Sequence, residues 1–337
     1  MSTLTLGISI AASILVIAIA VLASLMRYKY ARPKMGMVYL ILASATGLII
    51  IFSSYTSYAL FLRSCPHPQP PPGSDPAPCV VSGSIAIDGS TALEPLVQDI
   101  ATQYTTRCPG TTITVKGGGS NMGLNDVEDG VVAIGDSDIY APSDQADLVD
   151  HQVAVVIYTL VANQDTGVHN LTTDQIRNIY SGQYKNWTQV GGKNLPIKTV
   201  SRPSGSSGTR KTFDDYILGP NIAEQATINL PNSTDSAAQV VEQTPGAIGY
   251  VTIYEVGNLP NLNTVSIDGN PPTLSSVQNN TYHFWNIEHM YTKGEAGDLA
   301  AAFINYMGSN AARQTINSDN FVNMSDMESG SLDARCP

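Results

Sequence analysis

The chain alternates β-type and helical patterns of apolar residues over most of its length after residue 80. A β-type run at 80–88 is followed by apolar residues at helical spacing (Leu93, Leu96, Val97 and Ile100), which predicts a strand and then a helix. The same order recurs further along the chain. The other predicted elements are a strand in 111–117, a helix at 122–129, strands at 131–136 and 151–163, a helix at 173–180, a strand at 197–200, a helix at 209–218, strands at 247–253 and 283–291, and a helix at 298–307.

This order predicts an α/β protein with a mainly parallel sheet and helices on both faces. Residues 151–163 are nearly all apolar, as expected for a strand that is buried on both faces and crosses between two lobes. We predict crossovers near residues 163 and 250–265, which is the architecture of a hinged ligand-binding protein. The predicted lobe limits are 83–162 with 265–337 for lobe 1, and 163–264 for lobe 2.

Two uncharged apolar runs open the sequence, at residues 4–26 and 35–62. Each is longer than the roughly 20 residues that cross a bilayer, so we predict transmembrane helices at 4–26 and 37–62. Four positive charges lie between them in RYKYARPK (27–34), which favours a cytoplasmic loop and places residue 64 onward outside the cell membrane. The following segment, 65–82, contains many prolines and is predicted to be an extended stalk.

Two other interpretations of the apolar runs stay open. The first run could be a secretory signal, although the basic residues follow it rather than precede it. The second run contains a small-x-small triplet at 57–59 that a signal peptidase could accept, and cleavage there would release the domain.

The charge distribution excludes a polyanion as partner. Residues 1–64 contain five basic residues and no acid, so the rest of the chain has 12 basic and 28 acidic residues and a net charge of −16. Nucleic acid and anionic membrane surfaces are therefore excluded as main partners. Any bound anion has to be held by local geometry.

All four cysteines, at positions 65, 79, 108 and 336, follow the second apolar run. Their even number predicts two disulfides in an oxidising compartment. Three pairings are open, and the one we predict is Cys65–Cys79 with Cys108–Cys336. Lipidation of Cys65 is the alternative for that residue, and the absence of a CxxC pair argues against zinc or redox chemistry.

Three polar segments stand where a strand ends and a helix begins: DGST (88–91), GGGSN (117–121) and SGSSGT (204–209). Each alone is typical of an ordinary N-cap. Together they predict an anion site, because helix N-termini present free backbone N–H groups, glycine permits close approach and hydroxyls add donors.

The sequence resembles the substrate-binding proteins of high-affinity phosphate ABC transporters over about residues 84–310. The matching segments are GSTALEPL (89–96), GGGSNMGLNDV (117–127), AIGDSD (133–138), SRPSGSSGTR (201–210), PGAIGYV (245–251) and YHFWNIEHMYTKG (282–294). The resemblance implies a two-lobe fold of the type II periplasmic-binding-protein class, with a hinge. It also implies binding of inorganic phosphate and its delivery to an ABC permease.

Carried over by position, the resemblance implies that phosphate is contacted by Ser90, Thr91, the Ala92 amide, Ser120, Asp138, Arg202, Ser207, Gly208 and Thr209. Asp138 would accept a phosphate proton, and Arg202 would supply charged hydrogen bonds. The loop after Arg202 is one residue longer than the family pattern, so Arg210 could share or take over that role. Residues 193–211 carry five basic residues and no acid, which favours a local positive field here, although a solvated basic edge is the alternative.

Enzyme signatures are missing from the sequence. Arg210 interrupts the spacing of a P-loop in GSSGTRKT (205–212), no nucleophile elbow is present, and the five histidines lack metal-ligand spacing. We therefore expect a binding protein with no catalytic residue, metal or cofactor. A tethered phosphate sensor is the main alternative function, and a phosphoryl-transfer enzyme or hydrolase on the same fold is a weaker one.

Overall fold

The computed structural model describes residues 79, 81–230, 234–257 and 259–336. The predicted transmembrane helices, the basic loop between them and nearly all of the proline-rich stalk lie outside these residues. Among the helices that are described, none has the length and apolar character needed to span a bilayer.

The described part of the chain contains ten strands and ten α-helices, which alternate over much of its length. The strands are β1 (Gly83–Gly89), β2 (Thr111–Gly117), β3 (Ile134–Ser137), β4 (Leu148–Asn163), β5 (Asn170–Leu171), β6 (Lys198–Ser201), β7 (Ile228–Asn229), β8 (Ala247–Thr252), β9 (Leu262–Ile267) and β10 (Trp285–Lys293). The helices are α1 (Glu94–Arg107), α2 (Ser120–Glu128), α3 (Thr173–Tyr180), α4 (Gly208–Phe213), α5 (Thr234–Gln243), α6 (Ile253–Val256), α7 (Leu274–Gln278), α8 (Asp298–Met307), α9 (Asn310–Ser318) and α10 (Ser329–Asp333). The helix predicted at 209–218 is α4, continued by a π-helical turn at Asp214–Leu218.

The long strand β4 connects two groups of strands. Its first part pairs with β10 as far as Ile157, and its second part pairs with β8 from Tyr158 onward and with β9. The strand order is β2-β1-β3-β10-β4-β8-β6-β7, with β5 and β9 attached beside β4. The predicted α/β architecture with two lobes is confirmed, while the residue limits given above for the lobes stay a prediction.

Local sequence explains why α1 forms where it does. Pro95 stands in its first turn, where a missing N–H costs nothing, and Arg107 lies in the last turn beside the negative end of the helix dipole. Leu96, Val97 and Ile100 are buried on the face that packs against the sheet. Burial of side chains of this size contributes about 1.5–3 kcal/mol each. The first turn of α1 is thereby held at the carboxyl end of β1.

The disulfide pairing predicted from the sequence is wrong. Cys79 bonds to Cys108, with 5.2 Å between the two Cα atoms. The cause lies in the strand register, because Gly83 at the start of β1 is opposite Thr111 at the start of β2. The residues just before β1 therefore lie beside the end of α1, where Cys108 is located. This excludes both Cys65–Cys79 and Cys108–Cys336.

Near its C-terminus the chain packs against both lobes. The Arg335 guanidinium carbon lies 3.6 Å from the ring centroid of Tyr216 and 4.1 Å from that of Trp285. One of its nitrogens also donates to the carbonyl of His283 at 2.6 Å. Cation–π contacts of this kind stabilise by about 0.5–2 kcal/mol each, so Arg335 helps to hold the π-helical turn of lobe 2 against β10.

Candidate functional site

The candidate site forms at one edge of the parallel strands of lobe 1. Gly89 at the end of β1 is opposite Gly117 of β2 and Asp136 of β3, so the loops that follow these strands meet at the same edge. This is the edge where ligands bind in open α/β sheets. Gly89 has φ 130 and Gly119 has φ 97, conformations that glycine adopts without strain, and these bring the loops close together.

Asp138 lies at the centre of the site and is only 2% exposed. The Ser90 hydroxyl donates to its Oδ1 atom, and Thr209 Oγ1 donates to its Oδ2 atom at 3.1 Å. Its backbone N–H donates to Ser120 Oγ at 3.0 Å. Thr209 belongs to lobe 2 and the other residues to lobe 1, so one carboxylate connects both sides of the cleft.

The first loop is organised by Ser90. Its hydroxyl oxygen accepts hydrogen bonds from the backbone N–H groups of Ala92 at 3.1 Å and Leu93 at 3.0 Å, just ahead of α1. The Ala92 amide, predicted as a phosphate donor, is thus engaged by Ser90 in this structure. Both groups lie within the same loop, as the sequence predicted.

Arg202 is a buried cation that reaches across the cleft. It is 2% exposed, and one guanidinium nitrogen donates to Thr91 Oγ1 at 3.1 Å. Its backbone N–H donates to the Tyr250 hydroxyl at 3.2 Å, which holds the loop after β6 in place. Burial lowers the pKa of Arg202, but the nearby Asp138 carboxylate opposes this effect. A guanidinium remains protonated in proteins, so a full positive charge lies beside the site.

The Arg210 side chain makes its contacts within its own lobe and not with Asp138. Its guanidinium pairs with Asp214 and with the buried Glu224, both at 2.8 Å. It also donates to Ser201 Oγ at 2.6 Å and to the Arg202 carbonyl at 3.0 Å. Burial raises the pKa of Glu224 to about 7, although the hydrogen bond with Ser201 and the charge of Arg210 lower it. Arg210 therefore braces the main chain of Arg202, and its predicted contact with phosphate stays a prediction.

The start of α4 completes the lobe 2 side. Ser207 Oγ accepts from the Arg210 N–H at 3.2 Å as the N-cap, and Ser207, Gly208 and Thr209 are all buried. A Cβ atom on Gly208 would lie 2.7 Å from Asp138 Cβ, a distance that real contacts do not show. The two lobes therefore touch at this point, and only glycine permits so close an approach.

Three further residues join the site without having been selected from the sequence. The Asn121 side-chain amide donates to the Gly205 carbonyl across the cleft, within the longer loop. Asn286 of β10 donates to the Asp138 carbonyl at 2.6 Å and to Thr212 Oγ1 at 3.1 Å. Glu288, two residues further along β10, is fully buried. The available signal for the last two was the alternation of polar and apolar residues in the first half of β10, WNIE (285–288).

A buried carboxyl group also lies beside the site at Asp136. Burial raises its pKa well above the ordinary value of 3.8, and the neighbouring charges of Asp88 and Asp138 add to this. Despite these acids, the described residues contain no group of three or more His, Cys, Asp or Glu side chains arranged to hold a metal ion. Asp138 thus has hydroxyl donors, one cation and a second acid, Asp136, near it.

Fold and site together define a two-lobe α/β binding protein that has a buried, polar site for a small anion between its lobes. Residues 75–311 match the PBP superfamily domain. The phosphate-binding protein PstS of Bacillus subtilis is 39% identical over 252 residues, which cover 73% of this chain and 83% of that protein. The chain belongs to the PBP superfamily and, within it, to the PstS family of substrate-binding proteins of phosphate ABC transporters. The family resemblance predicted from the sequence is confirmed.

Solved structures agree with this placement. A phosphate ABC transporter substrate-binding protein from Clostridium perfringens, solved with bound phosphate, is similar with a TM-score of 0.68 and 25% identity, covering 72% of this chain and 100% of that one. An ABC-type phosphate transport receptor from Vibrio cholerae is similar with a TM-score of 0.58 and 26% identity, at the same coverage. The relatives are named as binding proteins and receptors, in agreement with the expectation that this chain is not an enzyme.

Proposed function

We propose that this protein captures inorganic phosphate between its two lobes. The observation that carries the proposal is the buried Asp138 carboxylate, which receives hydroxyl donors from both lobes within a site that also contains the Arg202 cation. The hydroxyls and Arg202 can donate to the oxygens of an anion, and the Asp138 carboxylate can accept a hydrogen bond from an anion that still carries a proton. The proposal is supported by the B. subtilis relative, which is named a phosphate-binding protein, and by the C. perfringens structure with bound phosphate.

The proposed ligands act in two groups. Ser90 and Thr209 turn their hydroxyls from Asp138 to phosphate oxygens, and Asp138 then accepts the phosphate proton. Arg202 contributes charge-assisted hydrogen bonds, which are about twice as strong as neutral ones. Further donors are proposed at Thr91, the Ala92 amide, Ser120, Ser207 and Gly208.

We also propose that the domain delivers phosphate to an ABC permease while the N-terminal helices anchor it outside the cell membrane. The support is the pair of apolar runs at 4–26 and 35–62, with basic residues confined to 27–34. Labelling of single cysteine probes in intact cells tests this topology. A probe at position 30 should be protected from an impermeant reagent, and its labelling from outside would contradict the anchoring.

Titration calorimetry with an anion panel tests the binding function. We expect the domain to bind phosphate and to exclude sulfate and nitrate at neutral pH. X-ray scattering should show a smaller radius of gyration on saturation, because anion loops lie on both sides of the hinge. Binding of sulfate as tightly as phosphate, or an unchanged radius on saturation, would contradict a hinged phosphate trap.

A further inference from the structure

A fully buried glutamate, Glu288, lies in β10 on the side facing the carboxylate of Asp138. Its exposure is 0%, and neither of its oxygens has a hydrogen-bond partner of standard geometry among the residues that the structure describes. Such a group is costly to bury, since an isolated ionised carboxylate in the interior loses its hydration. A structural role alone does not account for it.

The register of β10 places Glu288 next to Asp138, because the neighbouring residues His289 and Ser137 are opposite each other in the antiparallel pair. Residues two apart in a strand point to the same face, so Glu288 shares a face with Asn286, whose amide donates to the Asp138 carbonyl at 2.6 Å. Two acids, Asp136 and Asp138, face Glu288 from the edge of β3. From β4, the Tyr158 hydroxyl faces both Glu288 and Asp138. Arg202 is the cation that interacts with Asp138.

Burial and the neighbouring charges determine the protonation state of Glu288. Burial raises its pKa well above the ordinary value of 4.5, and the charges of Asp138 and Asp136 and hydrogen bonding with Asp138 raise it further. Burial and the neighbouring acids thus favour the protonated form of Glu288, which carries one O–H donor. Two close carboxyl groups that share one proton are a known solution when both cannot ionise.

We propose that Glu288 is a specificity-determining positioning residue that donates its carboxyl proton in a hydrogen bond to Asp138 and so keeps Asp138 oriented as an acceptor for the phosphate proton. The inference rests on the proposed function of the same site. It has a consequence for pH: loss of the Glu288 proton adds a negative charge beside the bound anion, so phosphate affinity falls as the pH rises through this ionisation.

Two substitutions, tested at neutral pH, distinguish a hydrogen-bond donor at position 288 from a side chain that only fills space. Glu288→Gln keeps the shape and an N–H donor, and we expect its Kd for phosphate to stay within about threefold of wild type. Glu288→Leu keeps the volume and removes the donor, and we expect phosphate binding about tenfold weaker. We also expect Glu288→Leu to melt at a higher temperature, because an apolar side chain replaces a buried carboxyl group. A loss of affinity with a gain in stability would not come from misfolding.

The pH profile gives a readout that a structural role would not change. The ratio of the wild-type Kd to the Glu288→Gln Kd should be near one at pH 7 and should rise as Glu288 ionises at higher pH, since Gln cannot ionise. The other titratable groups, and phosphate itself, are the same in both measurements, so their effects on Kd cancel in the ratio. Asp319→Asn is the matched control, because Asp319 is a buried acid with a raised pKa whose charged neighbour is Asp99. The ratio of the wild-type Kd to the Asp319→Asn Kd should stay near one at every pH.

Three outcomes would overturn the inference: tighter binding of phosphate and sulfate alike by Glu288→Gln at pH 7, wild-type affinity in Glu288→Leu, or a ratio that falls as the pH rises. Failure of the proposed function looks different. In that case the wild-type protein itself gives no heat of phosphate binding at pH 7.

Discussion

Asp138→Asn is expected to remove most of the discrimination between phosphate and sulfate. Near neutral pH phosphate keeps at least one proton and sulfate keeps none, so the Asp138 carboxylate accepts a hydrogen bond from phosphate alone. Recognition of this kind discriminates by roughly 10⁴–10⁵-fold, or about 5–7 kcal/mol, because buried polar groups are left unpaired by the wrong ligand. An asparagine amide can donate to sulfate, so phosphate should bind more weakly and sulfate more tightly than in wild type.

Competition calorimetry with the two anions measures this change. Asp136→Asn is the matched control, since Asp136 is a buried acid at the same strand end that has a raised pKa and is not a proposed phosphate ligand. We expect it to change the selectivity by less than about threefold. If Asp138→Asn binds both anions as the wild type does, Asp138 is not the discriminating residue.

Arg202→Gln is expected to weaken phosphate binding by about 2–5 kcal/mol, which is roughly 30- to 5,000-fold. The reason is that Arg202 is buried, charged and directed across the cleft to Thr91. Glutamine cannot supply the planar, charged fork of a guanidinium. Arg202→Lys should recover only part of the loss, because it restores the charge without the geometry.

Arg210→Gln is the comparison that separates the two arginines of this loop. Arg210 is already paired with Asp214 and Glu224, so its removal should lower the free energy of unfolding by about 1–3 kcal/mol. Its effect on the phosphate Kd should be far smaller than that of Arg202→Gln. An equal loss of phosphate affinity in both variants would mean that Arg210 shares the ligand, as the longer loop allows. Calorimetry and denaturant unfolding on the same samples distinguish these outcomes.

Several features of the site were predictable from the sequence because they depend on neighbours along the chain. Gly-Ser-Thr and Gly-Gly-Gly-Ser directly after apolar runs predict helix starts at strand ends, and parallel strands bring such ends to one edge. This reasoning located Ser90 and Ser120, the family resemblance supplied Asp138, and the structure places all three together. The apolar run at 151–163 likewise predicted β4, because a strand buried on both faces has no polar alternation.

The disulfide pairing, the roles of the two arginines and the buried acid in β10 were decided by tertiary structure. Cys79 meets Cys108 because β1 and β2 pair in one register, which cysteine spacing does not encode. The sequence predicted Arg202 as the ligand and left open that Arg210 shares or takes over that role, and in the structure Arg210 pairs with Glu224 from a separate segment. Asn286 reaches Asp138 only because β10 inserts between β3 and β4. The sequence by itself determined the local chemistry of each loop, and packing between distant segments decided which groups meet at the candidate site.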